Sequence, residues 1–319
     1  MNILITGITG LFGGYLAQEF SKLGSIFGFH RPETASRLIS ESEVDVTWRT
    51  GSLEDPDSLR ESLKDIDLVI HAAGLVSFAN RDKKQLYQVN RDGTANLVNA
   101  MIETGVKQLV HVSSVAAIGR SVEHPMIDEE FKWIESPLNT DYAVSKYLAE
   151  LEVWRGEQEG LELIVVNPSI LLGKASYGKS STAIYSYVTE GNVFYPVGDL
   201  NYIDVRDAAE ITRMLVENQL WGERFILNKE AIPYQRFFQE VAKTFGKKAP
   251  ARPLSGWMIR VASFGTSILR LLGLSKSPLN KQTALLAQQK ISFSNQKVQN
   301  TLGFRYRNLR DSLEWAKTS

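Results

Sequence analysis

The segment TDYAVSKYLAE, residues 140–150, places Tyr142 and Lys146 four positions apart in a run that reads as helix. On a helix, positions i and i+4 share one face, with about 5–6 Å between Cβ atoms. A free tyrosine titrates near ~10, too weakly acidic to exchange protons readily at neutral pH. A neighbouring ammonium favours the phenolate; lowering the pKa by about three units corresponds to about 4 kcal/mol. The pair could be a proton donor with its tuning cation, or an ordinary solvated helix face. A second group is clearer. TGITGLFGG sets Gly7, Gly10 and Gly13 in a GxxGxxG pattern between the apolar run NILIT and a helical run, with Leu11 and Phe12 inside the same turn. Glycines there allow a tight turn and close backbone approach to a pyrophosphate, which would sit at the positive helix N-terminus. Directly after a strand and at the start of a helix, the pattern points to a dinucleotide.

The elements that must hold these groups are legible in the apolar runs. NILIT (2–6), SIFGFH (25–30), VTWRTG (46–51), DLVIHAAG (67–74), QLVHVSSV (108–115) and LELIVVNPS (161–169) have strand length and are apolar on both faces. Helical stretches separate them: one ending at Gly24, one over DSLRESLKDI, one near 84–104, and the Tyr142–Lys146 helix. Strands buried on both faces and alternating with helices predict a parallel sheet covered on either side, an α/β doubly wound fold. After residue 170 the rhythm breaks into a glycine- and tyrosine-rich stretch. YIDVRDAAEITRMLVEN reads as one more strand and helix returning to the sheet, and residues 230–280 look mostly helical. The expected division is a dinucleotide-binding domain over 1–169, to which the strand and helix near 202–218 and part of the tail return. Residues 170–319 would form most of a smaller, mainly helical substrate domain.

Composition narrows the chemistry. There is no cysteine, which removes disulfides, thiolate metal sites and cysteine nucleophiles. Four scattered histidines (His30, His71, His111, His124) have no ligand-like spacing, so no metal is expected. The start MNILITG has no basic region or small-residue cleavage site, and the cytoplasm is the expected location. The zero net charge hides an asymmetry: residues 241–310 hold thirteen Lys/Arg and no acid, while residues 1–240 carry 22 basic and 34 acidic side chains. That block could pair with the acidic body, face an anionic substrate tail, or make weak contact with an anionic membrane through SGWMIRVASFGTSILRLLGLSK (255–276). Arg260 and Arg270 interrupt that run too often for a membrane span; it could equally line a pocket or a subunit contact, as in a homodimer. No aromatic-interleaved basic motif supports nucleic-acid binding.

The end of the second strand bears on the cofactor. A carboxylate there suits the ribose 2′-hydroxyl of NAD, whereas arginine suits the 2′-phosphate of NADP. The sequence reads FGFHRPETASR, with Arg31 in place and Arg37 within reach, and no acid between Glu19 and Glu33. NADP is the expected cofactor, with NAD as the alternative.

With these motifs together, the chain resembles the extended short-chain dehydrogenases/reductases, the NAD-dependent epimerase/dehydratase family, and within it the dihydroflavonol-reductase-like branch. The likeness runs from ILITGITGLFG to the closing FSNQKVQNTLGFRYRNLRDSLEWA. It implies a Rossmann fold and roles for further residues. GSLED (51–55) resembles the adenine-contacting segment, with Leu53 against the base and Ser52 where an aspartate is usual. HAAG (71–74) resembles the segment along the cofactor, giving Ala72, Ala73 and Gly74. VNRDGTANLV (89–98) resembles the helix whose asparagine, here Asn90, braces the site. HVSSVAAIG (111–119) resembles the strand that supplies a catalytic serine, assigned by register to Ser114 with Ser113 as the fallback. VNPSILLG (166–173) resembles the segment beside the nicotinamide, giving Pro168 and Ser169.

The resemblance implies an NAD(P)-dependent oxidoreductase acting on a small molecule, with hydride transfer between nicotinamide C4 and a carbonyl or alcohol carbon. Tyr142 would be the general acid/base, with Lys146 and Ser114 beside it. A nucleotide-sugar epimerase or dehydratase is the alternative. Such enzymes usually carry an arginine before the V.D strand, where VGDLNYIDV has Asn201, and dehydratases carry acids after the serine, where SSVAAIG has none. A non-catalytic NADP(H)-sensing regulator is a reading of a different class, set against the retention of both Tyr142 and Lys146.

Overall fold

The computed structural model describes residues 1–34, 44–174, 183–254 and 281–318. Seven parallel strands form the main sheet: β1 (Asn2–Thr6), β2 (Ser25–His30), β3 (Val46–Thr50), β4 (Leu68–His71), β5 (Gln108–Val112), β7 (Glu162–Pro168) and β11 (Glu223–Leu227). Their spatial order is β11-β7-β5-β4-β1-β2-β3. The chain starts at β1, winds outward to β3, then crosses back to β4 and winds the other way. This reversal beside β1 is the switch point at which doubly wound sheets bind ligands.

Alternation within the strands explains the two covered faces. Ile3 and Ile5 of β1 join one core with Leu16 and Phe20, while Leu4 joins another with Leu59, Leu97 and Val153. The first core belongs to α1 (Leu11–Phe20) and α8 (Val205–Glu217); the second belongs to α2 (Pro56–Ser62), α4 (Gly93–Thr104) and α6 (Asp141–Gln158). Helix α1 stops at Phe20, and the four residues to Gly24 are a turn. The helix expected near 84–104 is broken. A 3₁₀ turn (Asn80–Asp82) leads into α3 (Lys83–Leu86), then a π-helical turn (Tyr87–Asp92), then α4. Asn90 lies in that π turn; such wide turns often mark functional positions.

Beyond residue 170 the strand expected to rejoin the main sheet does not do so. β10 (Asp199–Asp204) lies in a second sheet between β8 (Ile170–Leu172), parallel to it, and β12 (Glu230–Pro233), antiparallel. The strand that does return is β11, next to β7. Helix α8 packs on the same core as α1, through Val205, Ala208, Ile211 and Leu215. Helix α9 (Tyr234–Phe245) closes a third core, where Phe237, Phe238 and Val241 meet Tyr202 and Leu313. Residues 255–280 lie outside the described residues.

The tail is tied back to the body. β14 (Ser292–Phe293) pairs with β6 (Met126–Ile127), and the helix Gln296–Leu302 ends at Gly303 with φ +59°, the left-handed turn that glycine tolerates. Lys297 bonds Glu223 at 2.5 Å, and Arg307 pairs with the buried Asp207 of α8. For these two residues the basic block meets the acidic body.

Candidate functional site

Helix α6 begins because Thr140 caps it: the Thr140 hydroxyl accepts from the Ala143 amide at 3.0 Å, with Asp141 in the first turn. Tyr142 is therefore in the first turn, and Lys146 and Glu150 follow on the same face. That face turns toward the C-terminal ends of β5 and β7. Lys146 donates to the Val112 carbonyl at 2.8 Å and is 4% exposed. Burial lowers its pKa from 10.5 to about 8, against the pull of Glu150.

Glu150, 1% exposed, was not anticipated from the sequence. It accepts from the Ser113 hydroxyl at 2.6 Å and from Asn167 at 3.0 Å, and pairs with Arg224. It thus locks the helix to the residue that follows β5 and to strands β7 and β11. The same bond separates the two serines. Ser113 is turned into the protein toward Glu150, whereas Ser114 faces Tyr142 and accepts from the Ala116 amide at 3.1 Å. Burial raises the Tyr142 pKa; the hydrogen bond from Ser114 and the charge of Arg120 pull it down. Arg120, whose charge favours the phenolate, belongs to no motif in the sequence.

The glycine turn has the geometry a dinucleotide requires. Gly7 has φ +69°, and a Cβ on it would lie 2.5 Å from the Ala73 nitrogen. A Cβ on Gly13 would lie 2.2 Å from the Gly7 carbonyl oxygen. The loop and helix are packed so closely at Gly7 and Gly13 that only glycine fits, and α1 has Gly10 at its N-cap, with no side chain capping it. Its first amides are thus left for an anion. These observations fit a bound pyrophosphate.

Behind the turn runs one hydrogen-bonded chain. The Ala73 amide donates to Thr6 Oγ1 at 3.2 Å, Thr6 Oγ1 lies 2.7 Å from His71 Nδ1, His71 Nε2 lies 3.0 Å from Thr94 Oγ1, and Thr94 donates to the Asn90 carbonyl at 2.5 Å. Because Thr94 gives its own proton to the Asn90 carbonyl, its oxygen must accept from His71 Nε2–H; with His71 neutral, Nδ1 then accepts the Thr6 hydroxyl proton. Burial agrees, driving the His71 pKa to about 3. The Asn90 side chain in turn accepts from the Leu75 amide at 2.7 Å and donates to Ser145 at 2.9 Å. It therefore braces the HAAG segment against α6.

A cleft of about 1270 Å³ opens over this framework. Ser114, Tyr142 and Lys146 line it, with Phe12, Ala72, Ala73 and Gly74 on one side and Pro168 and Ser169 on another. Gly7, Gly10, Leu11, Gly13 and Asn90 lie behind that lining, in the turn and the brace. Leu53 is 9% exposed and belongs to the core beneath α4. The Ser52 hydroxyl accepts from the Glu54 amide at 3.2 Å, a local turn bond. Arg31 stands exposed at the end of β2, 3.3 Å from Glu33; Arg37 lies outside the described residues.

A doubly wound parallel sheet, a glycine-only anion turn at its switch point, and a Tyr–Lys helix facing the same cleft define a nicotinamide-dinucleotide enzyme. The chain belongs to the NAD dependent epimerase/dehydratase family, whose model matches residues 3–226. It is an NAD(P)-dependent enzyme of the oxidoreductase/epimerase type. A Synechocystis sp. protein provisionally named dihydroflavonol 4-reductase is 28% identical over 303 residues, covering 92% of this chain and 88% of that one. Sterol demethylase protein B of Methylococcus capsulatus is 26% identical over 78% of this chain and 76% of its own. Among solved structures, that of gox2253 superposes with TM-score 0.83 at 29% identity, covering 98% of this chain and 96% of that one.

Proposed function

We propose that the chain is a reductase or dehydrogenase in which Tyr142 is the general acid/base, Ser114 orients the substrate oxygen and Lys146 holds the helix face and the ribose side of the cofactor. The observation that carries this reading is the convergence of Ser114, Tyr142 and Lys146 on the cleft beside the glycine turn. When bound, the nicotinamide supplies a hydride acceptor or donor at C4. Ser114 hydrogen-bonds the carbinol or carbonyl oxygen and aims it at the phenol. In oxidation the Tyr142 phenolate takes the hydroxyl proton as the carbinol carbon gives up hydride; in reduction the phenol returns a proton to the oxygen. The Phe78 ring stands edge-on to the Tyr142 ring, centroids 5.7 Å apart, beside that exchange.

Two arrangements favour this over nucleotide-sugar epimerisation. Arg206, the arginine nearest the expected diphosphate position, is held by both oxygens of Asp204, at 2.9 and 2.6 Å, and stacks on Trp315 at 3.8 Å. Asn201 bridges to the tail, donating to the Ile291 carbonyl at 2.7 Å and accepting from the Phe293 amide at 3.0 Å. Neither is free to clasp a phosphate. The cofactor preference proposed is NADP, through Arg31. Its exposed pair with Glu33 is weak, worth about 0–1 kcal/mol, and yields readily to a phosphate dianion. Residues 1–169 are read as the cofactor side and most of 170–319 as the substrate side.

Turnover across a panel of aldehydes, ketones, secondary alcohols and nucleotide sugars, each with NADPH or NADH or their oxidised forms, tests this function. Carbonyl or alcohol turnover with NADP favoured is expected. Arg31→Ala should reduce that preference by about ten-fold or more, the loss of a charge-assisted contact. Activity confined to nucleotide sugars would overturn the reductase reading, and an unchanged preference in Arg31→Ala would overturn the cofactor reading.

A further inference from the structure

The cleft contains a charge that the chemistry above does not use. Arg120 follows directly on α5 (Val115–Ile118), the single buried turn that Ser114 caps, after a Gly119 with φ +99°. Ser114 and Arg120 therefore bracket one short rigid piece of chain, and both line the cleft. Among the described residues, no carboxylate pairs with Arg120 and its guanidinium donates no hydrogen bond. The titratable groups that feel it are the phenols of Tyr142 and Tyr234, both on the same cleft. Among the described residues, the other cations nearby are Arg81, also on the cleft wall and 3.5 Å from Asp82, Lys146 on the Val112 carbonyl, and Arg206 on Asp204. The two acids of the cleft wall are also engaged elsewhere. Asp82 accepts from Ser77 at 2.6 Å, and Asp199 faces the charge of Lys290. The segments 175–182 and 255–280, outside the described residues, contain no acid.

Arg120 is half-buried on the cleft wall, and a partly desolvated guanidinium without a counter-ion gains from a ligand that completes it. Its planar fork matches a carboxylate with two parallel hydrogen bonds, and the Tyr234 hydroxyl is a further donor on the same wall. A diphosphate would call for several cations, and among the described residues of the cleft Arg120 is the one without a hydrogen bond or ion pair. We propose that the substrate is a hydroxy acid or its oxo counterpart, with the reacting oxygen at Ser114 and Tyr142 and its carboxylate on Arg120. This rests on the reductase/dehydrogenase reading and names its substrate class.

The test uses the full chain and the variants Arg120→Gln and Arg120→Lys. The probes are 3-hydroxydecanoate, 3-hydroxy-3-phenylpropanoate and 2-hydroxycyclohexanecarboxylate, each against its methyl ester. UDP-glucose is the phosphate-bearing control. Binding is read calorimetrically with the dinucleotide saturating, turnover by nicotinamide absorbance, and dinucleotide affinity separately for each variant. For at least one skeleton the acid should exceed its ester by about 30-fold in affinity or kcat/KM, the size expected for a desolvated charge pair. Arg120→Gln should bring that ratio to within about threefold of unity, and Arg120→Lys should keep part of it. Because the arginine's effect on Tyr142 acts on acid and ester alike, the ratio isolates the carboxylate. The inference is overturned if acids and esters behave alike in the native chain, or if the ratio survives in Arg120→Gln. It is also overturned if Arg120→Gln weakens UDP-glucose or the dinucleotide instead. Ester turnover with no preference for acids removes this inference and leaves the oxidoreductase reading standing. Arg120-dependent acid binding without turnover of any probe supports the anion site and counts against the reaction proposed. Absence of both binding and turnover overturns the hydroxy-acid inference.

Discussion

Lys146, 4% exposed on the face of α6 that meets the cleft, carries a charge that the proposed role needs and that burial disfavours. Its folded pKa of about 8 lies below the ordinary 10.5, so in the window between them the unfolded chain binds more protons than the folded one. Stability should therefore rise as pH increases from about 8 toward 10.5, and the full cost of burying the ammonium is present below that window. Lys146→Met removes the charge and keeps much of the volume. At pH 7 it should leave the chain as stable or up to about 3 kcal/mol more stable, while turnover falls; a melting curve beside an activity assay checks both. Tyr142, Lys146 and the three glycines could be picked out as candidates because their spacing alone suggests a chemistry. Arg120 and Glu150 were not. A lone arginine after VAAIG and a glutamate in a helix look like any others until the fold shows what surrounds them. Ser114 over Ser113 was chosen by register, and the 2.6 Å bond from Ser113 to Glu150 gives that choice a physical basis.

At the scale of elements, the β1–α1 turn carries a prediction that separates folding from binding. A Cβ on Gly13 would press on the Gly7 backbone at 2.2 Å, whereas one on Gly10 would come no nearer than 3.1 Å to the same oxygen. Gly13→Ala should lower the stability of the cofactor-free chain by roughly 2–4 kcal/mol, as overpacking against backbone does. Gly10→Ala should cost well under half of that. Equal melting temperatures for the two variants would contradict the close-packed turn. The strands of the main sheet were readable because strands buried on both faces are continuously apolar. The interrupted helix before Asn90 was not, since a π turn leaves no mark in the hydrophobic period. The strand at 199–204 was found but placed in the wrong sheet. Its alternation says that it is half covered, while its neighbours β8 and β12 are fixed by tertiary pairing that periodicity does not encode.

Across the whole molecule, the charge asymmetry becomes intelligible only in three dimensions. The acid-free run 241–310 contributes Lys297 to Glu223 and Arg307 to Asp207 and Glu210, so part of it fastens the tail to α8 and β11. Among the described residues, no helix is long and apolar enough to cross a membrane. The tail also borders the cleft: Ile291 and Phe293 line it, and β14 holds them beside β6. The proposed substrate side is thus assembled from the segment after β5, the second sheet and the tail, around a phenol presented by the first half of the chain. That phenol is the centre of the account. The most direct measurement is kcat/KM of Tyr142→Phe against the native chain, on whichever panel substrate turns over fastest, with dinucleotide affinity measured alongside. The account predicts a loss of about 10²–10⁴-fold, the usual worth of a general acid/base, with affinity for the dinucleotide changed by no more than about twofold. Turnover retained at the native level in Tyr142→Phe would contradict it.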